Sequence, residues 1–124
     1  MQTTDSFSKA IILGATGGIG RHLATELAKH LDFLVLVGRN PDKLVQLQNE
    51  LAGSKAQLSI KVLNLCDKEA LENFGKALDA DLLVNCAGLA SFSIGSDLAT
   101  EKEQELWQVN YHTPVQLMKL LVQK

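Results

Sequence analysis

Short apolar runs alternate along the chain with segments in which apolar residues recur every three or four positions. The first kind of segment is typical of strands covered on both faces, and the second of helices with one buried face. Such runs predict strands over residues 10–13, 33–37 and 82–84. A further strand is predicted over residues 58–63, where Leu58, Ile60 and Val62 occupy alternate positions. Because strands and helices alternate, the fold class is α/β with a parallel sheet built from βαβ units.

Helices are predicted after each strand. The first follows a glycine-rich turn at residues 14–20, and its expected apolar face is formed by Ile19, Leu23, Leu27 and Leu31. The second should begin at Pro41 after a cap at Asn40, and the third after a cap at Asp67. A loop at residues 88–97 then leads into a last helix that runs to the C-terminus.

The connectivity of four parallel strands predicts the sheet order 3-2-1-4 with flanking helices, as in the first half of a doubly wound, Rossmann-like sheet plus one strand. The fourth strand is then an open edge, and the last helix carries more apolar surface than four strands readily cover. We expect a homo-oligomer formed through that helix or that edge. Residues 1–124 contain no linker or repeat, so we predict a single domain.

Composition and charge narrow the range of partners. The 124 residues carry a formal charge of −2, so neither nucleic acid nor a membrane is an expected partner. The chain has no long apolar run and no export signal near its start, and we therefore expect it to be cytoplasmic. Cys66 and Cys86 lie in apolar stretches without metal-ligand spacing, which predicts reduced core thiols and no metal site.

The turn between the first strand and the first helix contains Gly14, Gly17, Gly18 and Gly20. Glycines there permit a tight turn, let the backbone approach a pyrophosphate and let the helix pack close to the strand, while the helix N-terminus faces the anion. A tight turn without a ligand would need some of the same glycines, so the turn alone leaves both interpretations open.

Arg39 lies at the end of the second predicted strand, nineteen positions after Gly20, where the ribose of a bound dinucleotide would lie. An acidic residue there would bind the 2′-hydroxyl of NAD. A guanidinium instead suits a 2′-phosphate, and no carboxylate is present at residues 37–41. These residues favour NADP(H) over NAD(H) as the cofactor, and the alternative is a solvated surface arginine.

Three short motifs make the chain similar to the short-chain dehydrogenase/reductase family: Gly14-x-x-x-Gly18-Ile19-Gly20, Asn85-Cys86-Ala87-Gly88 and Val109-Asn110. The turn also fits the extended, epimerase-like branch, whereas the other two motifs favour the branch with a tyrosine catalyst. The resemblance spans nearly the whole chain but only about the N-terminal half of the family's usual domain. It implies a fold truncated after the fourth strand and its helix, from a parent that reduces a carbonyl or oxidises an alcohol.

The resemblance also implies cofactor contacts. The turn would face the pyrophosphate, Arg39 the adenosine phosphate, and the backbone of Leu65 the adenine. Asn64 replaces the family's usual aspartate, and its amide can still accept a hydrogen bond from the adenine amino group. Ala87 and Gly88 would let the end of the strand approach the ribose. The implied contacts are Gly14, Thr16, Gly17, Gly18, Ile19, Gly20, Arg39, Asn64, Leu65, Asn85, Ala87 and Gly88.

Asn110 is the one candidate for the catalytic machinery. In an α-helix the amide of residue 114 bonds to the carbonyl of residue 110, but Pro114 has no N–H, so that carbonyl requires another donor. The resemblance implies that this carbonyl would hold a water of the family's proton relay in a complete domain. The alternative is a helix kink with a packing role only.

The family's catalytic tyrosine is not Tyr111, which is the only tyrosine of the chain and is followed four residues later by Val115. By the resemblance, the catalytic serine, tyrosine and lysine would all lie beyond Lys124. We therefore expect the chain alone to be inactive, although its parent would act on a small-molecule carbonyl or alcohol. The alternative is a non-enzymatic nucleotide-binding or interaction module.

Overall fold

The computed structural model describes residues 7–88 and 100–123. Its strands are β1 (Lys9–Leu13), β2 (Phe33–Gly38), β3 (Gln57–Val62) and β4 (Leu82–Asn85). They form one parallel sheet in the order β3-β2-β1-β4, which confirms the predicted fold class and strand order. β3 and β4 are therefore the edges of the sheet.

The helices are α1 (Gly18–Ala28), α2 (Pro41–Glu50), α3 (Lys68–Lys76), α4 (Thr100–Trp107) and α5 (Thr113–Val122). Both predicted caps are confirmed. The side chain of Asn40 accepts a hydrogen bond from the amide of Lys43, and that of Asp67 accepts one from Ala70, each at 3.1 Å. Of the predicted loop at residues 88–97, residues 89–97 lie outside the described residues.

The chain divides into two compact units, the first of which contains residues 7–63 and 79–86 of the described chain. It holds the whole sheet with α1 and α2. Apolar side chains from one face of the strands and from both helices share its core, as the parallel arrangement requires. Its largest fully buried members are Ile12, Leu34, Leu36, Leu44 and Leu47.

The predicted apolar face of α1 is wrong in part. The buried residues of this helix are Gly20, Ala24 and Ala28, whereas Ile19 is 77% exposed. Small side chains let α1 lie close to the sheet. The helix therefore makes its closest contact with the sheet through its glycine and alanines and not through its larger apolar residues. The four-residue spacing of large apolar residues therefore indicated the helix but not the face that it buries.

The second unit contains residues 64–78, 87–88 and 100–123 of the described chain. Within it α3 packs against α5, where Gly75 leaves room for the side chain of Leu120. The predicted last helix is interrupted by a π-helical turn, Gln108–His112, which joins α4 to α5. The amide of Thr113 donates to the carbonyl of Gln108, five residues back, immediately before Pro114.

Across residues 7–88 and 100–123, we find no helix with both the length and the apolar character needed to cross a membrane.

Candidate functional site

Two glycines of the turn between β1 and α1 are required by the fold itself. Gly14 has a φ of 75°, in the left-handed region that favours glycine, and its amide donates to the carbonyl of Val37 at 3.0 Å. A Cβ on Gly20 would collide with the carbonyl oxygen of Gly14. These contacts fix the turn against β2 and seat α1 on it.

The other two glycines of the turn are exposed. A Cβ built on Gly18 would have no neighbour within 4 Å, and one on Gly17 would make only an ordinary contact. Neither residue has a positive φ. Among the residues that the structure describes, no side chain caps the N-terminus of α1, and its first turn contains no acidic residue. The amides at the start of α1 therefore face a space that suits an anion.

The structure brings Thr16 of this turn and Arg39 together. Both line a recess of about 640 Å³ beside the start of α2. Arg39 is exposed, and no ion pair to it is found within the described part of the first unit. A guanidinium placed in this way can donate two parallel hydrogen bonds to a phosphate.

Two charged residues of the recess were missed by the sequence analysis. Asp42, which directly follows the carboxylate-free residues 37–41, lines the recess, as does Lys43. Their place follows from the cap at Asn40, because that cap starts α2 immediately after Arg39 and holds its first turn beside the recess. Counted over the lining residues that the structure describes, two cations and one carboxylate give the recess a positive formal charge.

At the end of β4, Asn85 lies opposite Leu13 in the register, and the amide of Cys86 donates to the Leu13 carbonyl at 2.8 Å. Cys66 and Cys86 are not joined in a disulfide, and both are half-buried. Burial raises the pKa of the Cys86 thiol, so this side chain is protonated at neutral pH and packs as a small apolar group against the core.

In the second unit, the side chain of Asn64 shapes its own loop. Its Oδ1 accepts a hydrogen bond from the amide of Cys66 at 2.9 Å, and its carbonyl accepts one from the amide of Asp67 at 3.0 Å. Asn64 is exposed, while Leu65 is buried. The Asn64 amide group keeps donor atoms and a second lone pair that a ligand can use.

The structure also brings Gly88 and Asn110 together within this unit. A Cβ on Gly88 would lie 3.5 Å from Oδ1 of Asn110, which is exposed in the π-helical turn. A groove of about 1010 Å³ passes Asn110 and is lined in part by Cys66, Trp107 and Tyr111. The predicted site residues thus fall into two groups. Gly14 to Gly20, Arg39 and Asn85 lie in the first unit, and Asn64, Leu65, Ala87, Gly88 and Asn110 in the second.

Thr113 is a further polar residue of the second unit, and it was not among the residues predicted from the sequence. Its side chain is fully buried and its hydroxyl donates to the carbonyl of Leu65 at 2.7 Å. A hydroxyl residue directly before a proline in a helical segment was the available signal, because the backbone is irregular at such a position and a side chain can supply hydrogen bonds there.

Comparison with known proteins places this geometry in a wider group. The family model for short chain dehydrogenase matches residues 8–124. The chain is 33% identical to 3-ketodihydrosphingosine reductase of Bos taurus, over 82% of this chain and 33% of that protein. It is also 33% identical to dehydrogenase/reductase SDR family member 7B of Mus musculus, over 90% of this chain and 38% of that protein.

Solved structures agree with this. L-sorbose reductase from Gluconobacter frateurii, complexed with NADPH and L-sorbose, matches with a TM-score of 0.84 and 28% identity, over 94% of this chain and 47% of that one. A metagenomic short-chain oxidoreductase in complex with NADP matches with a TM-score of 0.83 and 26% identity, over 93% and 55%. The chain spans about a third of the two curated relatives and about half of these structures. It belongs to the short-chain dehydrogenase family.

Proposed function

We propose that this chain is the N-terminal, NADP(H)-binding part of an oxidoreductase whose parent reduces a carbonyl or oxidises an alcohol by hydride transfer. The recess that Thr16 shares with Arg39 carries the proposal. It joins the glycine-rich turn to a positively charged pocket at the end of β2, and a 2′-phosphate is the part of NADP(H) that NAD(H) lacks.

The residues present fit such a cofactor. The exposed backbone at Gly17 and Gly18 leaves room for a pyrophosphate at the start of α1. Gly18 supports a bound ligand in particular, because neither the packing nor the backbone conformation at this position requires a glycine. The absence of a side chain would benefit a ligand that lies against the backbone, and we assign the pyrophosphate to this surface together with Thr16 and Ile19.

For the remaining contacts we propose the roles that the family resemblance implies. Asn64 and Leu65 would contact the adenine, Asn85, Ala87 and Gly88 the ribose side, and Asn110 would act in a proton relay in a complete domain. When bound, the nicotinamide supplies or accepts the hydride. The NADPH and NADP complexes of the two structural relatives support NADP(H), and the reductase name of the bovine relative supports the reaction class.

We further propose that residues 1–124 are a portion of one NAD(P)-binding domain and are inactive on their own. The sequence contains a single tyrosine, and no lysine follows it four positions later. General acid catalysis by a tyrosine with a lowered pKa therefore cannot be assembled from these residues. Cys66 and Cys86 are half-buried and not joined in a disulfide, which supports a reducing compartment, and we propose the cytoplasm.

Besides the cofactor and a small-molecule substrate, we propose that the chain binds further copies of itself. The helical segment from α4 to α5 exposes several large apolar side chains: Trp107, Tyr111, Met118 and Val122. β4 also lies at the edge of the sheet, where its outer backbone groups can pair with another strand. Both features support a homo-oligomer.

The cofactor proposal is tested by fluorescence titration of the 124-residue chain with NADPH and NADH. Loss of charge-assisted hydrogen bonds in Arg39→Ala should weaken NADPH binding about 10- to 100-fold while leaving NADH binding nearly unchanged. Lys29→Ala removes an equivalent charge from the far end of α1 and serves as the control, because Lys29 is exposed and pairs with Glu26. Equal loss for both cofactors, or loss for neither, would contradict the assignment.

A further inference from the structure

Thr113 uses both the donor and the acceptor capacity of its hydroxyl. The side chain is completely buried. Its Oγ1 donates to the carbonyl of Leu65 at 2.7 Å and accepts a hydrogen bond from Nε2 of Gln108 at 3.1 Å. All three residues belong to the second unit. A fully satisfied, buried hydroxyl of this kind fixes the groups that it joins, because breaking either bond leaves a polar atom buried without a partner.

The first group that Thr113 fixes is the π-helical turn. The backbone amide of Thr113 donates to the carbonyl of Gln108, and the side chain of Gln108 donates back to the Thr113 hydroxyl. These two bonds join the same pair of residues across the turn. Asn110 lies between them in sequence, so its backbone conformation depends on this double link.

The second group is the loop after β3. Hydrogen bonds inside this loop are local: Asn64 accepts from the amides of Cys66 and Asp67. The bond from Thr113 to the carbonyl of Leu65 spans 48 residues of sequence and ties the loop to the helical segment. Leu65 is itself buried, so its carbonyl has little access to water as a replacement donor.

We propose that Thr113 is a positioning residue that sets the spacing between the adenine-binding backbone at Leu65 and the relay residue Asn110. The inference rests on the proposed function, because it takes the roles of Leu65 and Asn110 from there. Thr113 does not touch the cofactor. It acts through Leu65 on one side and through the turn around Asn110 on the other.

The test compares Thr113→Val with Thr113→Ser in the 124-residue chain. The probe is 2′,5′-ADP, which carries the adenine and the 2′-phosphate without nicotinamide. Valine keeps the shape but removes both hydrogen bonds, so it should weaken binding about tenfold. Serine keeps the hydroxyl and should bind within about twofold of wild type. Thr113→Ala removes the same bonds with less crowding and replaces the valine variant if that variant does not fold.

Leu117→Ala is the matched control, because Leu117 is fully buried in the same helix and lacks a polar side chain. It should destabilise the chain yet bind 2′,5′-ADP within about threefold of wild type wherever the protein remains folded. Wild-type affinity in both Thr113→Val and Thr113→Ala, or equal losses in Leu117→Ala and the valine variant, would overturn the proposal.

A second readout is independent of ligand. Amide hydrogen exchange at Cys66 and Asp67 under native conditions should accelerate in Thr113→Val and not in Thr113→Ser, because the loop loses its link to the helix. If wild type fails to bind 2′,5′-ADP, the proposed function fails and the assignment of an adenine site at Leu65 fails with it. The exchange experiment then decides alone whether Thr113 orders the loop, and unchanged exchange would refute that part as well.

Discussion

The carboxylate of Asp81 accepts a hydrogen bond from the backbone amide of Lys9 at 2.9 Å, and so links the residue that precedes β4 to the first residue of β1. The same carboxylate oxygen accepts a second bond from the amide of Ser8 at 2.7 Å. These two backbone donors, from Lys9 first and Ser8 second, hold the pKa of Asp81 below its usual range. Pairing of β4 with β1 is therefore tied to an ionised side chain.

This arrangement predicts that the chain loses stability in acid. The pKa of Asp81 is lower in the folded state than in the unfolded state, so its contribution is present above the unfolded value, about 3.9, and is lost as the pH falls through the folded value. Asp32, whose pKa is lowered by the Ser8 hydroxyl and by Lys55, acts in the same direction. Urea unfolding midpoints should fall between pH 5 and pH 3 in wild type and fall less in Asp81→Asn.

The control for this experiment is Asp79→Asn. Asp79 lies two residues earlier, and its side chain makes no hydrogen bond or ion pair within residues 7–88 and 100–123. Its acid dependence should match that of wild type. An Asp81→Asn variant with an unchanged acid dependence would show that the link to β1 does not depend on charge.

The two kinds of glycine in the turn after β1 should respond differently to alanine. Gly20→Ala forces a Cβ against the Gly14 carbonyl, a rigid backbone atom, and should cost about 3 kcal/mol of the free energy of unfolding or prevent folding. Gly18→Ala meets nothing, so stability should be unchanged or rise by up to about 1 kcal/mol. Thermal unfolding of both variants measures this difference.

The same Gly18→Ala variant should bind NADPH at least about tenfold more weakly, because the added methyl group would occupy the surface assigned to the pyrophosphate. In this one variant the affinity for NADPH should fall while the free energy of unfolding stays unchanged or rises. Normal NADPH affinity in a folded Gly18→Ala chain would remove the support that this glycine gives to the proposed function.

Asp42 should work against a phosphate in the recess, since its carboxylate is the one negative group among the described residues that line it beside Arg39 and Lys43. Asp42→Asn should raise the affinity for NADPH about two- to fivefold, more at low salt than at high salt, and leave the affinity for NADH unchanged. Titrations at two ionic strengths measure both effects. An equal gain for NADH would mean that Asp42 acts on helix α2 and not on the phosphate.

Self-association should depend on the helical segment from α4 to α5. Met118→Glu places a charge on an exposed apolar position of α5 and should lower the molar mass measured by light scattering toward that of a monomer. Val45→Glu makes the same change at a similarly exposed position of α2 and should leave the mass unchanged. A monomeric wild-type chain at high concentration would contradict the proposed homo-oligomer.

The sequence predicted the strands because three of them are short apolar runs and β3 alternates apolar with polar residues, and the connectivity of these strands then predicted the sheet order. It predicted the start of α2 because Asn40 and Pro41 are residues that favour the start of a helix. It failed on the buried face of α1, where close approach to the sheet selects Gly20 and the alanines over Ile19. The position of Thr113 before Pro114 indicates a side-chain hydrogen bond, but no local pattern identifies its partner Leu65, which lies 48 residues earlier in the sequence.

The candidate site shows the same division. Arg39 was predicted from its distance to the glycine-rich turn, whereas Asp42 and Lys43 enter the recess because a helix begins immediately after Arg39. The sequence distance of Asp42 and Lys43 from the glycine-rich turn does not by itself indicate a cofactor contact. The first turn of α2 therefore determines which charged side chains, besides Arg39, a phosphate in the recess would contact.

The π-helical turn between α4 and α5 contains one residue more than an α-helical turn would need, so it acts as a phase shift of about 100° between the two helices. Deleting a single residue from this turn would restore a continuous α-helix and rotate α5 by that angle. Thr113 would rotate away from Leu65, and Leu117 would leave its buried position. The one additional residue in the π-helical turn thus determines which side of α5 is buried.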